Sequence, residues 1–483
     1  MIGFGSPQTA KRSRHQLLSD FLPFAKGELS LTKKRLDWDL NDPFEIYRRL
    51  YAGFENSFIL ESTAGPEELA KHTFLGFNPR ATLTFSEGSF EENGEEVLKT
   101  SNPLPALKEL ERRLVKVPTP DRGKFLGGLV GYAGYDLIKY MEKFSPPGSE
   151  GPYPELETGL YLDGIVHDSR DDSLTYFSYD GDRSSELERR LAEPPEKKGE
   201  GLDLEKLKSD FERQAYKSAV QEIRNYIRAG DVYQTVLSRK LSGAFDGDPF
   251  QAYRRLRDIN PSPYMYHLKF GDRRIIGSSP EKLVSVRNDE VTTYPIAGTR
   301  PLGETKKEKA DLRRELISDE KESAEHNMLV DLARNDLGRV ADYGTVTVPE
   351  YMEVKEFSHV QHLVSRVNGT LSEEKSAMDA FETVFPAGTL SGAPKIRAME
   401  IIEELEVSRR GPYGGGVGYL SFTGDLDTCI TIRSLFTYGN RLSLRAGAGI
   451  VADSDPAGEW EETNHKLAAL KRAISGGDTR ETQ

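Results

Sequence analysis

Apolar and polar residues alternate in short runs up to about Gly201, the period expected of half-buried strands. Residues 57–62, 81–85, 127–132, 159–163 and 173–179 have strand composition, and a helix is expected over 104–115. Beyond that region the period lengthens. Tyr216, Val220, Ile223 and Ile227 recur at helical spacing, with Gly230 as a stop. Residues 231–240 carry apolar side chains on both faces (Val232 and Val236; Tyr233 and Leu237), the pattern of a strand covered on both sides. Further strands are predicted at 275–276, 283–286, 291–296, 419–422, 429–436 and 442–450, and helices over 394–406 and from Pro456 onward. Strands and helices do not strictly alternate. This predicts an α+β fold with large mixed or antiparallel sheets packed together and helices outside. The stretch 194–201, PPEKKGEG, has linker composition, which divides the chain into two intertwined subdomains, 1–200 and 201–483.

One predicted helix breaks the usual pattern. Residues 318–338 read SDEKESAEHNMLVDLARNDLG, with Ser318 as N-cap, acids in the first turn and Gly338 past the end. Steps of three and four from Glu322 reach Glu325, Leu329 and Leu332, so two carboxylates share a stripe with apolar residues. Two acids so placed repel each other unless a cation or proton compensates. The last helix repeats the spacing: Asp455 caps it, Pro456 suits its first position, and Glu459, Glu462 and Lys466 follow. An E-x-x-E pair by itself is equally the mark of a solvated helix face. Two such pairs are reconciled by a hard divalent cation such as Mg2+, which takes carboxylate oxygens and leaves room for an anionic substrate.

Composition narrows the classes. A chain of 483 residues with net charge -13 and no basic patch argues against nucleic-acid binding. No apolar run is long enough to span a membrane and no signal-type segment opens the chain, so a cytoplasmic protein without membrane association is expected. The single cysteine, Cys429, excludes an internal disulfide and any multi-thiolate metal site. The histidines show no metal-binding spacing, and His362 fits a core residue as well as a catalytic one. The loop 386–395, PAGTLSGAPK, offers Thr389 and backbone N–H groups near a helix start, an anion site or an ordinary turn. Glycine clusters at 411–419 and 446–449 enter strands rather than helices, so neither is a dinucleotide fingerprint. Arg433, among apolar neighbours, needs an anionic partner.

These segments, with TYPIAGTRPLG at 293–303 and AGAGIVADSDPAGEWEETNHK at 446–466, strongly resemble the chorismate-utilising enzymes. SFILES, FLGFNPRATL and GGLVGYAGYD extend the resemblance through the first half. Within the family, two positions bear on the reaction. Members that add water to chorismate resemble one another in a lysine base where this chain has Gln234, which cannot deprotonate water. Aminodeoxychorismate synthases commonly carry a lysine nucleophile where this chain has Ala297, so the amine here must come from outside. The resemblance therefore implies conversion of chorismate and ammonia to anthranilate and pyruvate.

The resemblance also implies residue roles. Glu325 and Glu462 are implied as the principal Mg2+ ligands, with Glu322 and Glu459 ligating directly or through water. Arg433, Tyr413, the Gly447–Ala448–Gly449 backbone and Lys466 are implied to bind the substrate carboxylates, with Gly298, Thr299 and Thr389 nearby. Glu281 is implied as the acid that protonates the departing C4 hydroxyl, which needs a raised pKa, and His362 as the residue assisting pyruvate loss. Leu60, Glu61 and Ser62 with Asn260, Pro261, Ser262, Pro263, Tyr264 and Met265 resemble the tryptophan pocket of feedback-inhibited members. No cysteine-histidine-glutamate glutaminase set can be built around Cys429, so a glutamine amidotransferase subunit is expected to supply ammonia in a hetero-oligomer. The alternatives are the first component of aminodeoxychorismate synthase and, without catalysis, a tryptophan-binding regulatory module.

Overall fold

A computed structural model of the chain describes residues 30–64, 72–114, 124–142, 151–193, 202–356 and 360–475. Among these residues there are two large sheets, of 13 and 12 strands, antiparallel throughout. The first runs through Asn56–Glu61, Tyr264–Phe270, Arg273–Ser279, Ser434–Tyr438, Arg441–Ile450 and Gln234–Gly247 as successive neighbours. The second runs through Glu290–Thr293, Lys282–Arg287, Leu426–Ile430, Gly416–Ser421, Gly128–Ala133 and Leu156–Tyr161. Segments before and after residue 200 thus contribute to both sheets, and the linker 194–201 lies outside the described residues.

Period-two patterning sets the layers. In Asn56–Glu61, Phe58 enters the core shared by the two sheets, whereas Ile59 faces the helices on the other side. Tyr266, Leu268 and Ile275 join Phe58, and Met265 and Ile276 join Ile59. The helices Pro43–Leu50, Phe250–Ile259 and Pro456–Ser475 cover that outer face through Phe44, Tyr253, Leu256, Leu467 and Leu470. No helix among the described residues is long and apolar enough to cross a membrane.

Two chain crossings between the sheets matter for the site. Only Pro280 and Glu281 separate Arg273–Ser279 of the first sheet from Lys282–Arg287 of the second. Residues 431–433 make the return, from Leu426–Ile430 to Ser434–Tyr438. Backbone bonds stitch the crossings together: Ile430 N donates to Glu281 O at 3.0 Å, and Ser278 N donates to Arg433 O at 3.2 Å.

Several element boundaries differ from the pattern-based expectation. The strand expected at 429–436 is two strands, because Arg433 adopts φ +48° and turns the chain. The strand expected at 231–240 begins at Gln234, leaving Tyr233 73% exposed. Ser318 is not the N-cap of the acidic helix. It ends the preceding helix, Lys306–Ser318, and Asp319 caps Glu320–Leu337 by accepting from Lys321 N and Glu322 N. A carboxylate accepts both amides with charge assistance, which a hydroxyl cannot match.

Candidate active site

Glu281 and Arg433, on the two crossings, lie close enough for the charge of each to act on the other. Thr389 Oγ1, from the PAGTLSGAPK loop, donates to Glu281 Oε1 at 2.9 Å. Burial pushes the Glu281 carboxyl up to about 7, and the charges of Lys466 and Arg433 pull only partly against that. Burial, together with the same two cations, holds His362 below the ordinary histidine value. His362 Nδ1 lies 2.9 Å from Gly298 O and 3.0 Å from Thr299 Oγ1. A carbonyl only accepts, so Nδ1 carries the proton and the neutral ring holds its lone pair on Nε2. Gly298 has φ +71°, and a Cβ there would meet Leu316 at 3.0 Å and Glu322 Oε2 at 3.2 Å.

Lys466 Nζ bridges Gly447 O, at 2.9 Å, and Glu462, at 2.7 Å. Tyr413 is buried against the backbone of Gly447, which links the glycine cluster at 411–416 to the one at 446–449. Gln234 sits over Gly449: a Cβ at Gly449 would lie 2.6 Å from Gln234 Nε2. Ala297, in Ile296–Pro301, precedes Gly298 directly. Gln234 therefore adjoins the glycine cluster at 446–449, and Ala297 the turn at Gly298 that His362 bonds to.

The acidic helix presents the stripe Glu322, Glu325, Leu329 and Leu332 half-buried, while its fully buried face is His326, Val330, Ala333 and Leu337. Leu329 and Leu332 line the wall of the cleft that contains Glu281 and Thr389. The leucines of the stripe thus face that cleft rather than the core, while Glu322 and Glu325, nearer the helix start, stay half-buried beside Arg300 and Lys321. The two acidic pairs do act on each other. Burial, then Glu322, raises the Glu325 pKa, with Glu462 contributing from the other helix. Burial raises Glu459 as well, with Glu462 contributing, and Lys321 partly offsets both.

No ready-made cage exists: among the described residues no three or more carboxylate, imidazole or thiol groups are gathered closely enough to hold a metal ion. Glu322 is bound at 3.0 Å by Arg300, which also reaches Asp319 at 2.7 Å and Glu315 at 2.8 Å. Glu459 Oε2, by contrast, is buried without a hydrogen-bond partner. Carboxylate oxygens that repel each other, one of them orphaned, are a donor set suited to a hard divalent cation. Lys321 and Arg300, the cations that moderate this charge, were not singled out from the sequence. Arg300 was visible only as the residue after Thr299.

A second cavity, of about 270 Å³, lies near the junction of the two sheets and is lined by Leu60, Ser62, Pro263, Tyr264 and Met265. Ser62 Oγ is buried there without a partner. Lys124 and Arg170 on its wall surround Asp168. Two residues expected in this pocket do other work. Glu61 borders the cavity, but its carboxylate is taken by Tyr253 (2.5 Å) and Arg257 (2.7 Å), both on the covering helix Phe250–Ile259. Ser262 is buried and bonded to Thr63 and Ser278, and neither it nor Pro261 lines the cavity.

A family model described as chorismate binding enzyme matches residues 55–472. The chain is 45% identical over 444 residues to anthranilate synthase component 1 of Methanothermobacter thermautotrophicus, covering 91% of this chain and 94% of the relative. It is 43% identical over 465 residues to anthranilate synthase component 1 of Pseudomonas aeruginosa, covering 90% and 94%. Among solved structures, anthranilate synthase component I from Streptococcus pneumoniae superposes with a TM-score of 0.75 at 39% identity, over 85% of this chain and 93% of that one. The chain belongs to the chorismate-binding enzyme family.

Proposed function

We propose that the protein converts chorismate and ammonia to anthranilate and pyruvate. The observation that carries this reading is Glu281: a carboxyl that keeps its proton near neutral pH, bonded to Thr389 and facing Arg433 and Lys466. Arg433, Lys466, Tyr413 and the backbone of 447–449 bind the substrate's two carboxylates. Ammonia attacks C2 while Glu281 donates its proton to the C4 hydroxyl, which departs as water. His362, neutral with its lone pair on Nε2, takes the C2 proton. The C3–O bond then breaks, the ring aromatises, and enolpyruvate leaves and is protonated to pyruvate. Gln234 offers no base to water and Ala297 no amine to the ring, which favours an external amine over hydration or a covalent enzyme adduct.

Glu325 and Glu462, supported by Glu322 and Glu459, would hold a Mg2+ ion. When bound, it supplies positive charge that anchors a substrate carboxylate and relieves the repulsion among these acids. A glutamine amidotransferase subunit delivers the ammonia. Tryptophan occupies the cavity beside Leu60, Ser62 and Met265. The apolar lining suits its indole, Ser62 Oγ a polar group of the ligand, and Lys124 and Arg170 its carboxylate. Soluble cytoplasmic location fits this metabolic role.

The test is the purified chain with chorismate, Mg2+ and an ammonium salt. Fluorescent anthranilate with equimolar pyruvate is the expected result. Aminodeoxychorismate without pyruvate overturns it in favour of a synthase that stops at the amination, and binding of tryptophan with no turnover in favour of a regulatory module. Glutamine in place of ammonium is expected to give no product unless the partner subunit is added.

A further inference from the structure

We infer that Asn260 is a positioning residue that orients Arg433 toward the substrate carboxylate. The inference rests on the reading of Arg433 as a substrate-binding group. Arg433 holds a left-handed backbone conformation, φ +48°, that a residue with a Cβ rarely adopts. A guanidinium at the end of a long, rotamer-rich side chain holds one direction only where something anchors it. Arg433 Nη1 donates to Asn260 Oδ1 at 3.4 Å, near the strand ends at Tyr264 and Ser434. The anchor is itself locked. Asn260 Nδ2 donates to Ser278 Oγ at 2.9 Å, and Ser278 Oγ donates back to the Asn260 carbonyl and lies 2.8 Å from Ser262 Oγ. Asn260, Ser262 and Ser278 are all buried, and Asn260 N closes the helix Phe250–Ile259 on Leu256 O.

The chemistry selects asparagine here. A guanidinium only donates, so the atom facing it must accept, and Ser278 Oγ fixes the amide with its oxygen toward Arg433. A neutral acceptor orients the arginine and leaves its full charge for an anionic ligand. An aspartate would form an ion pair and compete with the substrate. Asn260 and Ser278 do not line the cleft that holds Glu281, so the effect passes through Arg433. The segment also touches the second cavity's edge: Thr63, next to Ser62, exchanges bonds with Ser262 (Thr63 N to Ser262 O, 3.1 Å; Ser262 N to Thr63 Oγ1, 3.2 Å).

The test is steady-state ammonia-dependent turnover of Asn260→Ala, Asn260→Asp, Arg433→Lys and the Asn260→Ala/Arg433→Lys double variant. Asn260→Ala should raise the KM for chorismate about five- to tenfold with kcat changed much less, as one lost orienting hydrogen bond predicts. Asn260→Asp should raise it further, because the new carboxylate captures the guanidinium. In the Arg433→Lys background, Asn260→Ala should add nothing, since the group it orients is gone. A wild-type KM in both Asn260 variants overturns the inference, as does full additivity in the double variant. If Arg433→Lys itself leaves KM unchanged, the reading of the substrate site fails instead. Should Asn260→Ala not fold, Ser278→Ala, which unlocks the amide without removing it, is expected to give the same KM rise, and a wild-type KM there overturns the inference.

Discussion

Glu281 lies where two residues carry the chain from one sheet to the other, and that position explains its chemistry. A crossing turns the carboxyl into the seam between the sheets, where burial costs the charged form more than Lys466 and Arg433 return. Its pKa of about 7 stands above the ordinary glutamate value, so the folded protein holds this proton more tightly than the unfolded chain does. The stability it contributes is complete below the ordinary value and is lost as pH rises through about 7. Activity follows the same proton. The kcat/KM for chorismate should fall as pH rises through about 7, and Glu281→Gln should lose about 10²- to 10⁴-fold in kcat while still binding chorismate. A pH-rate profile of both proteins decides this: if the high-pH decline survives in the Glu281→Gln variant, some other group carries the proton. The role of Glu281 came from a motif resemblance alone. Nothing in SSPEKL announces a buried acid, because its environment is built by Thr389, Arg433 and Lys466, far along the chain.

At the scale of elements, the helix Glu320–Leu337 shows what patterning can and cannot give. The mixed stripe of acids and leucines was legible, and its leucines line the cleft that holds Glu281. The start of the helix was misplaced by one residue. Ser318 has the right chemistry for a cap, but Lys306–Ser318 is itself helical and uses that position as its last. Asp319 accepts two helix amides and pairs with Arg300, so it joins cap and charge network in one side chain. Asp319→Ala should cost about 1–2 kcal/mol in urea unfolding, whereas Ser318→Ala should stay within about 0.5 kcal/mol. Asp319→Asn should recover most of the loss, because it keeps the cap and gives up only the ion pair. Equal losses for Ser318→Ala and Asp319→Ala would refute this assignment of the cap. Arg433 marks a second limit. Its apolar neighbours read as continuous strand, and no periodicity reports that a single residue reverses the backbone between two sheets.

Across the whole molecule, each sheet joins one block of strands from before residue 200 to one block from after it, through Asn56–Glu61 beside Tyr264–Phe270 in the first sheet and Gly128–Ala133 beside Gly416–Ser421 in the second, so the cleft depends on how firmly the sheets are held together. One polar tie between them is Arg273, on the first sheet, which grips Glu157, on the second, through bonds of 2.6 to 3.1 Å. The Tyr132 hydroxyl donates to the same carboxylate, which is 2% exposed. Burial raises the Glu157 pKa, and Arg273 pulls it back. Removing Arg273 leaves a buried carboxylate with no cation, so Arg273→Ala should destabilise the fold by about 3–5 kcal/mol near neutral pH. The sign of its pH dependence follows. Without Arg273 the folded pKa of Glu157 rises further above the unfolded value, so the folded variant takes up a proton more readily than the unfolded chain. Its deficit should therefore shrink at acid pH and grow as pH rises through the ordinary carboxylate range toward neutrality. Urea unfolding of wild type and variant at pH 5 and pH 8 measures the difference. A deficit that is the same at both values would mean that Arg273 acts by packing alone.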